Sequence, residues 1–401
     1  MKSIRVHILV INGGSSSIKF ALYDIDEKLS KIFSGQIKKI GSMDAEFTVY
    51  NKLSYKKSKL KIEATNYKRA AVFLIDSLKK ENYFETIVCV GHRIVHGMNH
   101  THPEVITDKL LKELNHLIEY DPDHLPAEIE MIQLFKIQFP QLMQVACFDT
   151  SFHTAMPRVA KILPIPRRFD RAGIQRYGFH GLSFTYLMET LKNINGKDES
   201  KGRIILAHLG NGASLAAVKD GKSLDTSMGF TPAGGLMMGT RPGDLDPGVA
   251  WYILQSEKMT TKQFNQLINH ESGLLGVSET SADMQELLKK EMEDVRTEEA
   301  VKLFCYSVKK WIGSYSAVLN GLDTLVFSGG IGENSAAIRS RICNGFDYLG
   351  IEIDNEENQK NATIISTKKS KVKIYVIPTD EEIIIANEVR KLYTNVQSNT
   401  Q

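Results

Sequence analysis

The chain has 401 residues, 42% of them hydrophobic and 24% charged, with a net charge of +3, an ordinary globular composition on a chain long enough for two cores. So small a charge over such a length gives no global field for nucleic acid. No stretch has the roughly 18 uninterrupted apolar residues of a membrane helix, and the apolar run at residues 6–11 meets Asn12-Gly13-Gly14 too soon for a signal peptide.

Along the chain, short apolar runs ended by glycine or polar residues predict buried strands at 6–11, 87–90, 145–148, 204–207, 325–327 and 372–377. Helical spacing of apolar residues predicts helices at 67–80, 126–139, 184–193 and 298–319. Strands alternating with helices indicate an α/β protein. The basic stretch 51–61, with irregular apolar spacing and one aromatic, reads as a solvated surface strand or hairpin. Cys89, Cys147, Cys305 and Cys343 form no CxxC pair, which points to reduced structural thiols in a cytoplasm. Residues 6–24 and 204–221 share a plan of strand, glycine-rich turn, strand and acidic turn, as if one unit were used twice. Two domains, 1–150 and 151–381, are expected around a shared cleft, since no long polar or proline-rich linker separates them.

Three glycine-rich segments follow predicted strands. They are Asn12-Gly13-Gly14-Ser15-Ser16-Ser17-Ile18-Lys19, then His208-Leu209-Gly210-Asn211-Gly212-Ala213-Ser214, then Ser328-Gly329-Gly330-Ile331-Gly332-Glu333-Asn334. Glycines let backbone amides approach an anion, and hydroxyls or a lysine can complete the cradle. Each alone also reads as a tight turn. None is a Walker motif, because Lys19 falls in the next strand and the first segment does not open a helix.

Arginines in glycine-punctuated loops suit carboxylate or phosphate through their rigid fork of donors. Arg93 sits at the end of a predicted strand in GHRIVHG (91–97), and Arg241 lies in GLMMGTRPGDLDPG (235–248), a segment too rich in Gly, Pro and Asp for regular structure. Either could equally be a surface ion pair. His180 in RYGFHG (176–181) and Asp149 in FDTSFH (148–153) are open between site and structural roles, the latter as a helix cap. Acids at PTDEE (378–382) open the terminal helix, where negative charge is expected in any case.

Together with NGGSSSIKF (12–20), HLGNGAS (208–214) and GGIGEN (329–334), these segments resemble the acetate kinase family, eight motifs in order. The resemblance implies two ribonuclease-H-like α/β domains of the acetate and sugar kinase, chaperone and actin superfamily around a nucleotide cleft. The first is closed by a C-terminal helix from about residue 382. It implies ATP-dependent phosphorylation of a short-chain carboxylate by a cytoplasmic homodimer using Mg²⁺, or Mn²⁺ in its place. Carried over by position, Asn12 and Glu381 resemble the metal-site residues, Lys19 a nucleotide-phosphate contact, and Arg93 the substrate-carboxylate arginine. Val95, Phe179 and Pro232 resemble acyl-pocket residues; His180 and Arg241 resemble the pair that stabilises the phosphoryl group; Asp149 resembles the essential acid. His208, Leu209, Gly210, Asn211, Gly212, Asp283, Met284, Gln285, Gly330, Ile331, Gly332, Glu333 and Asn334 match nucleotide-binding segments. A carboxylate is already an anionic nucleophile at neutral pH, so Asp149 is expected to orient a partner rather than act as acid or base. The chain departs from the family at Gln285, where arginine is usual, at Tyr120-Asp121-Pro122-Asp123-His124-Leu125-Pro126 in the pocket segment, and at Met98 and Pro242. Acyl chain and nucleotide preference stay open on this basis.

Overall fold

The computed structural model describes residues 5–14, 16–26, 28–51, 55–81, 83–196 and 201–398. Residues ahead of the first strand, Ser15 of the first glycine segment, residues 52–54 of the basic stretch and the end of the C-terminal segment lie outside these. Among the described residues, no helix is long and apolar enough to cross a membrane. The chain divides into two compact units, Met1–Ser151 with Asp380–Gln401, and Phe152–Thr379.

The first unit is built on an eight-stranded sheet: β1 His7–Gly14, β2 Ser17–Asp24, β3 Lys31–Lys38, β4 Ser42–Asn51, β5 Lys56–Ala64, β6 Ile87–Ile94, β7 Glu104–Val105 and β8 Met143–Phe148. Their order is β5-β4-β3-β2-β1-β6-β8-β7. Strands β1 to β5 pair antiparallel in sequence, whereas β1, β6 and β8 run parallel. Strand β1 is buried almost end to end, as a central strand with covered faces requires. The helix Tyr67–Leu78 starts at Asn66, whose side chain accepts from the Arg69 amide, and buries Ala70, Ala71, Leu74, Ile75 and Leu78 at helical spacing. With Met131 and Phe135 of the helix Leu125–Gln138, these residues join Leu9, Ile11, Phe20 and Val90 in one core. The terminal helix Glu381–Ser398 packs on β6 at Gly91, where an added Cβ would stand 2.6 Å from side-chain carbons of Ile385 and Val389. The absence of a side chain there lets the helix approach. The basic stretch becomes the end of β4 and the exposed β5, as expected.

In the second unit a five-stranded sheet comprises β9 Arg203–Leu209, β10 Ala213–Lys219, β11 Lys222–Thr226, β12 Thr324–Ser328 and β13 Lys373–Val376, in the order β11-β10-β9-β12-β13. Strands β9, β10 and β11 pair antiparallel, and β9, β12 and β13 parallel. That is the order and direction of β3-β2-β1-β6-β8, so the echo between residues 6–24 and 204–221 is a repeated sheet. The buried helix face of Phe184, Leu187 and Leu191 packs on Ile204, Leu206, Val218 and Val326.

Two expectations need correction. Residues 329–334 are not a loop before a helix but a short helix themselves, Gly329–Asn334. Gly329 turns the chain at φ +75°, and the Glu333 carboxylate accepts from its amide at 2.9 Å, closing the turn from within. The helix expected at 184–193 begins earlier, as Gly181–Asn195, because left-handed backbone at His180 starts it. Helices at Asp108–His116 and Pro247–Ser256 were not anticipated; the second has Asp246 as cap and proline in its first turn, a start signal hidden in a segment read as irregular.

Candidate active site

The parallel strands β1, β6 and β8 run side by side, with Ile11 opposite His92 and Arg93 opposite Cys147. Their carboxyl ends are where ligands of α/β sheets gather, and they bring Asn12, Arg93 and Asp149 together. Arg93 donates to Asp149 Oδ2 from Nη2 at 2.6 Å and from Nε at 3.2 Å, and from Nη1 to the Gly13 carbonyl at 3.1 Å. The Asp149 side chain is fully buried and that of Arg93 is 13% exposed. Burial works against the guanidinium's charge, but the Asp149 and Glu381 carboxylates outweigh it and raise the Arg93 pKa. A buried ion pair, with Nε and Nη2 converging on one Asp149 oxygen, thus stands where a surface pair was the alternative.

The first turn of the terminal helix supplies the facing acids. Asn12 Nδ2 donates to Glu381 Oε2 at 2.8 Å and to Glu382 Oε1 at 2.9 Å. Burial raises the Glu382 pKa against the opposing pull of Lys19, with Glu381 and Asp380 adding to the rise. Lys31 pairs with Asp380 at 2.7 Å. Lys19 lies on β2 and, with Lys31 and Glu382, lines a cavity of about 260 Å³. The Asn12 amide and Glu381 carboxylate offer hard oxygen donors of the kind magnesium takes. Among the described residues, no group of three or more His, Cys, Asp and Glu is placed to hold a metal ion by itself.

In the second unit, the β9–β10 turn carries His208 to Gly212. His180 precedes the helix Gly181–Asn195 at φ +59°, a left-handed conformation uncommon for histidine that aims its ring out of the helix line. The His180 and His208 rings stack at 4.3 Å, and each Nδ1 is fixed by a serine: His180 by Ser214 and His208 by Ser183, both at 2.8 Å. The Arg241 segment is irregular as expected, with Leu236, Met237 and Met238 buried beneath it. Arg241 Nη1 donates to the Pro232 carbonyl at 2.9 Å. The Gly239 amide donates to Asn211 O at 2.9 Å, and a Cβ at Gly239 would stand 2.1 Å from Asn211 Oδ1, so only glycine lets this segment close on the turn.

Gly330, Ile331, Gly332, Glu333 and Asn334 form the short helix after β12, next to Gly210. Arg339, fully buried, holds this helix from behind, donating to the Gly332 and Glu333 carbonyls at 2.8 and 3.0 Å and to Asn358 Oδ1 at 2.7 Å. Burial among neutral acceptors pulls its pKa down to about 10. Asp283 caps the helix Met284–Lys290 by accepting from the Gln285 amide at 2.7 Å; Met284 is buried and Gln285 exposed.

Val95, buried in the first unit, donates its amide to Glu128. Phe179, also buried, and Pro232 belong to the second unit. Sequence reasoning passed over Ser183, Arg339 and Glu128. Ser183 carries no signal without a neighbour. Glu128 did: it falls on the stripe with Met131, Ile132 and Phe135, an acid at a core position.

Residues 7–387 match the model of the acetokinase family. Among relatives, an acetate kinase of Rickettsia felis is 42% identical over 391 residues, covering 96% of this chain and 98% of its own. A propionate kinase of Salmonella typhimurium is 41% identical over 391 residues, covering 96% of each. The crystal structure of a propionate kinase from Francisella tularensis superposes with a TM-score of 0.89 at 38% identity, over 96% of this chain and 99% of that one.

Proposed function

Because the chain belongs to the acetokinase family, we propose that it transfers the γ-phosphoryl group of ATP to a short-chain carboxylate, foremost acetate, giving an acyl phosphate and ADP reversibly. The observation that carries this reading is the Arg93–Asp149 pair at the ends of β6 and β8, which holds a guanidinium in one orientation on a buried carboxylate. Arg93 binds the substrate carboxylate, and Asp149 keeps its fork in place. Val95, Phe179 and Pro232 are the residues we assign to the acyl chain.

On the nucleotide side, Lys19, the turn from His208 to Gly212, the helix start at Asp283, Met284 and Gln285, and the segment from Gly330 to Asn334 bind phosphates, ribose and base. Asn12 and Glu381 hold Mg²⁺, which neutralises phosphate charge. His180, its Nδ1 tied to Ser214, presents Nε2 to the phosphoryl group in transfer, and Arg241 adds a second cationic donor; such preorganised donors supply the main stabilisation of phosphoryl transfer. The substrate carboxylate attacks unaided, being ionised, so the transfer is direct and in line. We place the reaction in the cytoplasm, where four buried free thiols persist. The chain acts as a homodimer, as its resemblance to the family implies.

Propionate is a second reading, favoured by near-equal identity to an acetate and a propionate kinase and by the altered segment 120–126. One added methylene is worth only about 1–3 kcal/mol of discrimination. Trapping acyl phosphate as hydroxamate, with ATP and formate, acetate, propionate, butyrate or glycolate, tests both: product is expected from acetate and propionate, and none from any acid defeats the proposal.

A further inference from the structure

We infer that Glu128 is held as a neutral carboxylic acid beside Arg93, and that binding of a carboxylate there is linked to this proton; the linkage rests on the reading of Arg93 just given. Glu128 lies on the helix Leu125–Gln138 and is 5% exposed. Its two oxygens share one donor, the Val95 amide, at 3.2 and 3.1 Å. Among the described residues no other donor reaches it, whereas a buried carboxylate stays ionised on two or three.

The charged groups facing it are Asp121 from the segment before its helix, Arg93 from β6 and Asp149 after β8. Tyr67, on the helix Tyr67–Leu78, shares this setting, its phenol pushed up by burial and by Glu128. Arg93 is already committed to Asp149 and feels Glu381 as well. One cation therefore serves several acids. Asp121 is 3% exposed; its Oδ1 meets His124 Nδ1 at 2.8 Å, and its Oδ2 has no hydrogen-bond partner. An ionised Glu128 would add a further buried negative charge with a single amide to stabilise it, and a proton removes that charge. Burial first, and then Asp121, push the Glu128 carboxyl well above the usual carboxylate range, against the opposing pull of Arg93 and the Val95 amide.

A carboxylate ligand on Arg93 adds another negative charge to this group. With Glu128 neutral, Arg93 retains the field to hold it. With Glu128 ionised, affinity falls, and by reciprocity a bound carboxylate retains the proton. Stability follows the same sign: the contribution of an acid whose folded pKa is raised is fully present below its ordinary value of about 4.3 and is lost as pH rises through the folded pKa.

The test uses the full chain as wild type, Glu128→Gln and Asp121→Asn. Infrared difference spectra should show a protonated-carboxyl stretch at neutral pH that Glu128→Gln removes. Acetate affinity, measured by calorimetry from acid to alkaline pH, should fall in the wild type by about tenfold per pH unit once Glu128 ionises. It should stay flat in Glu128→Gln and start to fall at lower pH in Asp121→Asn. The Tm of Glu128→Gln should gain on the wild type as pH rises. No such band in the wild type, or an unchanged pH slope in Glu128→Gln, overturns the inference. Failure of acetate and propionate to bind at any pH overturns the linkage together with the Arg93 reading, and the infrared band then decides the proton alone. Should Glu128→Gln not fold, the Asp121→Asn shift decides the matter.

Discussion

The two units set their side chains on sheets of the same order, yet with opposite electrostatics. In the first, charged side chains do much of the holding: Arg93 on Asp149, Lys31 on Asp380, and the Glu381 and Glu382 carboxyl groups on the Asn12 amide. In the second, neutral groups do the holding: serines fix two histidines, the Asn211 carbonyl fixes Gly239, and Arg339 rests on carbonyls and amides. The difference matches the groups we assign mainly to each, the carboxylate head of the acid to the first and most of the nucleotide to the second. A small carboxylate offers one charge and little surface, so a strong, oriented cation must capture it. A nucleotide offers many oxygens along its length, which backbone turns and single donors can cover without buried ion pairs.

The largest expected effect comes from breaking the charged side. Arg93→Ala strands Asp149 in the interior, a stability loss of about 3–5 kcal/mol. Separately, loss of the cation that holds the carboxylate should lower kcat/KM for that substrate by about a hundredfold or more. Nucleotide affinity, read by calorimetry, should hold; an equal loss for both ligands would erase the division of labour. His180→Gln removes the ring and changes the donor, and kcat should drop by about a hundredfold or more while KM for the carboxylate moves little. A change in KM alone would assign His180 to binding. Arg339→Met leaves the Gly332 and Glu333 carbonyls unserved at about 1–3 kcal/mol of stability. Its kinetic signature should be a nucleotide KM raised by about tenfold with the carboxylate KM unmoved, since Arg339 ties the helix Gly329–Asn334 to Asn358 and Asn361.

The sheet was legible because its central strands are continuous apolar runs cut by glycine, which periodicity reads directly, and the repeat was visible in the two glycine hairpins. Strands β3 and β4 were not, being mixed in polarity and decided by pairing with neighbours. Arg93 and Asp149 were each ambiguous alone; only the parallel register of β6 and β8 shows that they form a pair. Residues 329–334 misled because glycines in sequence argue for a loop, while the Glu333 side chain that closes the helical turn acts at a distance of four residues. Glu128 could have been singled out as an acid on an apolar stripe, but its neighbours Asp121 and Arg93 come from segments that only the fold unites.

Direct transfer from nucleotide to carboxylate is the claim on which these assignments converge, and ATP made chiral at the γ-phosphorus by oxygen isotopes tests it most directly. Acyl phosphate formed from acetate should carry inverted configuration, the outcome of a single in-line displacement. Retention would require a phosphorylated residue between the two substrates and would contradict the account.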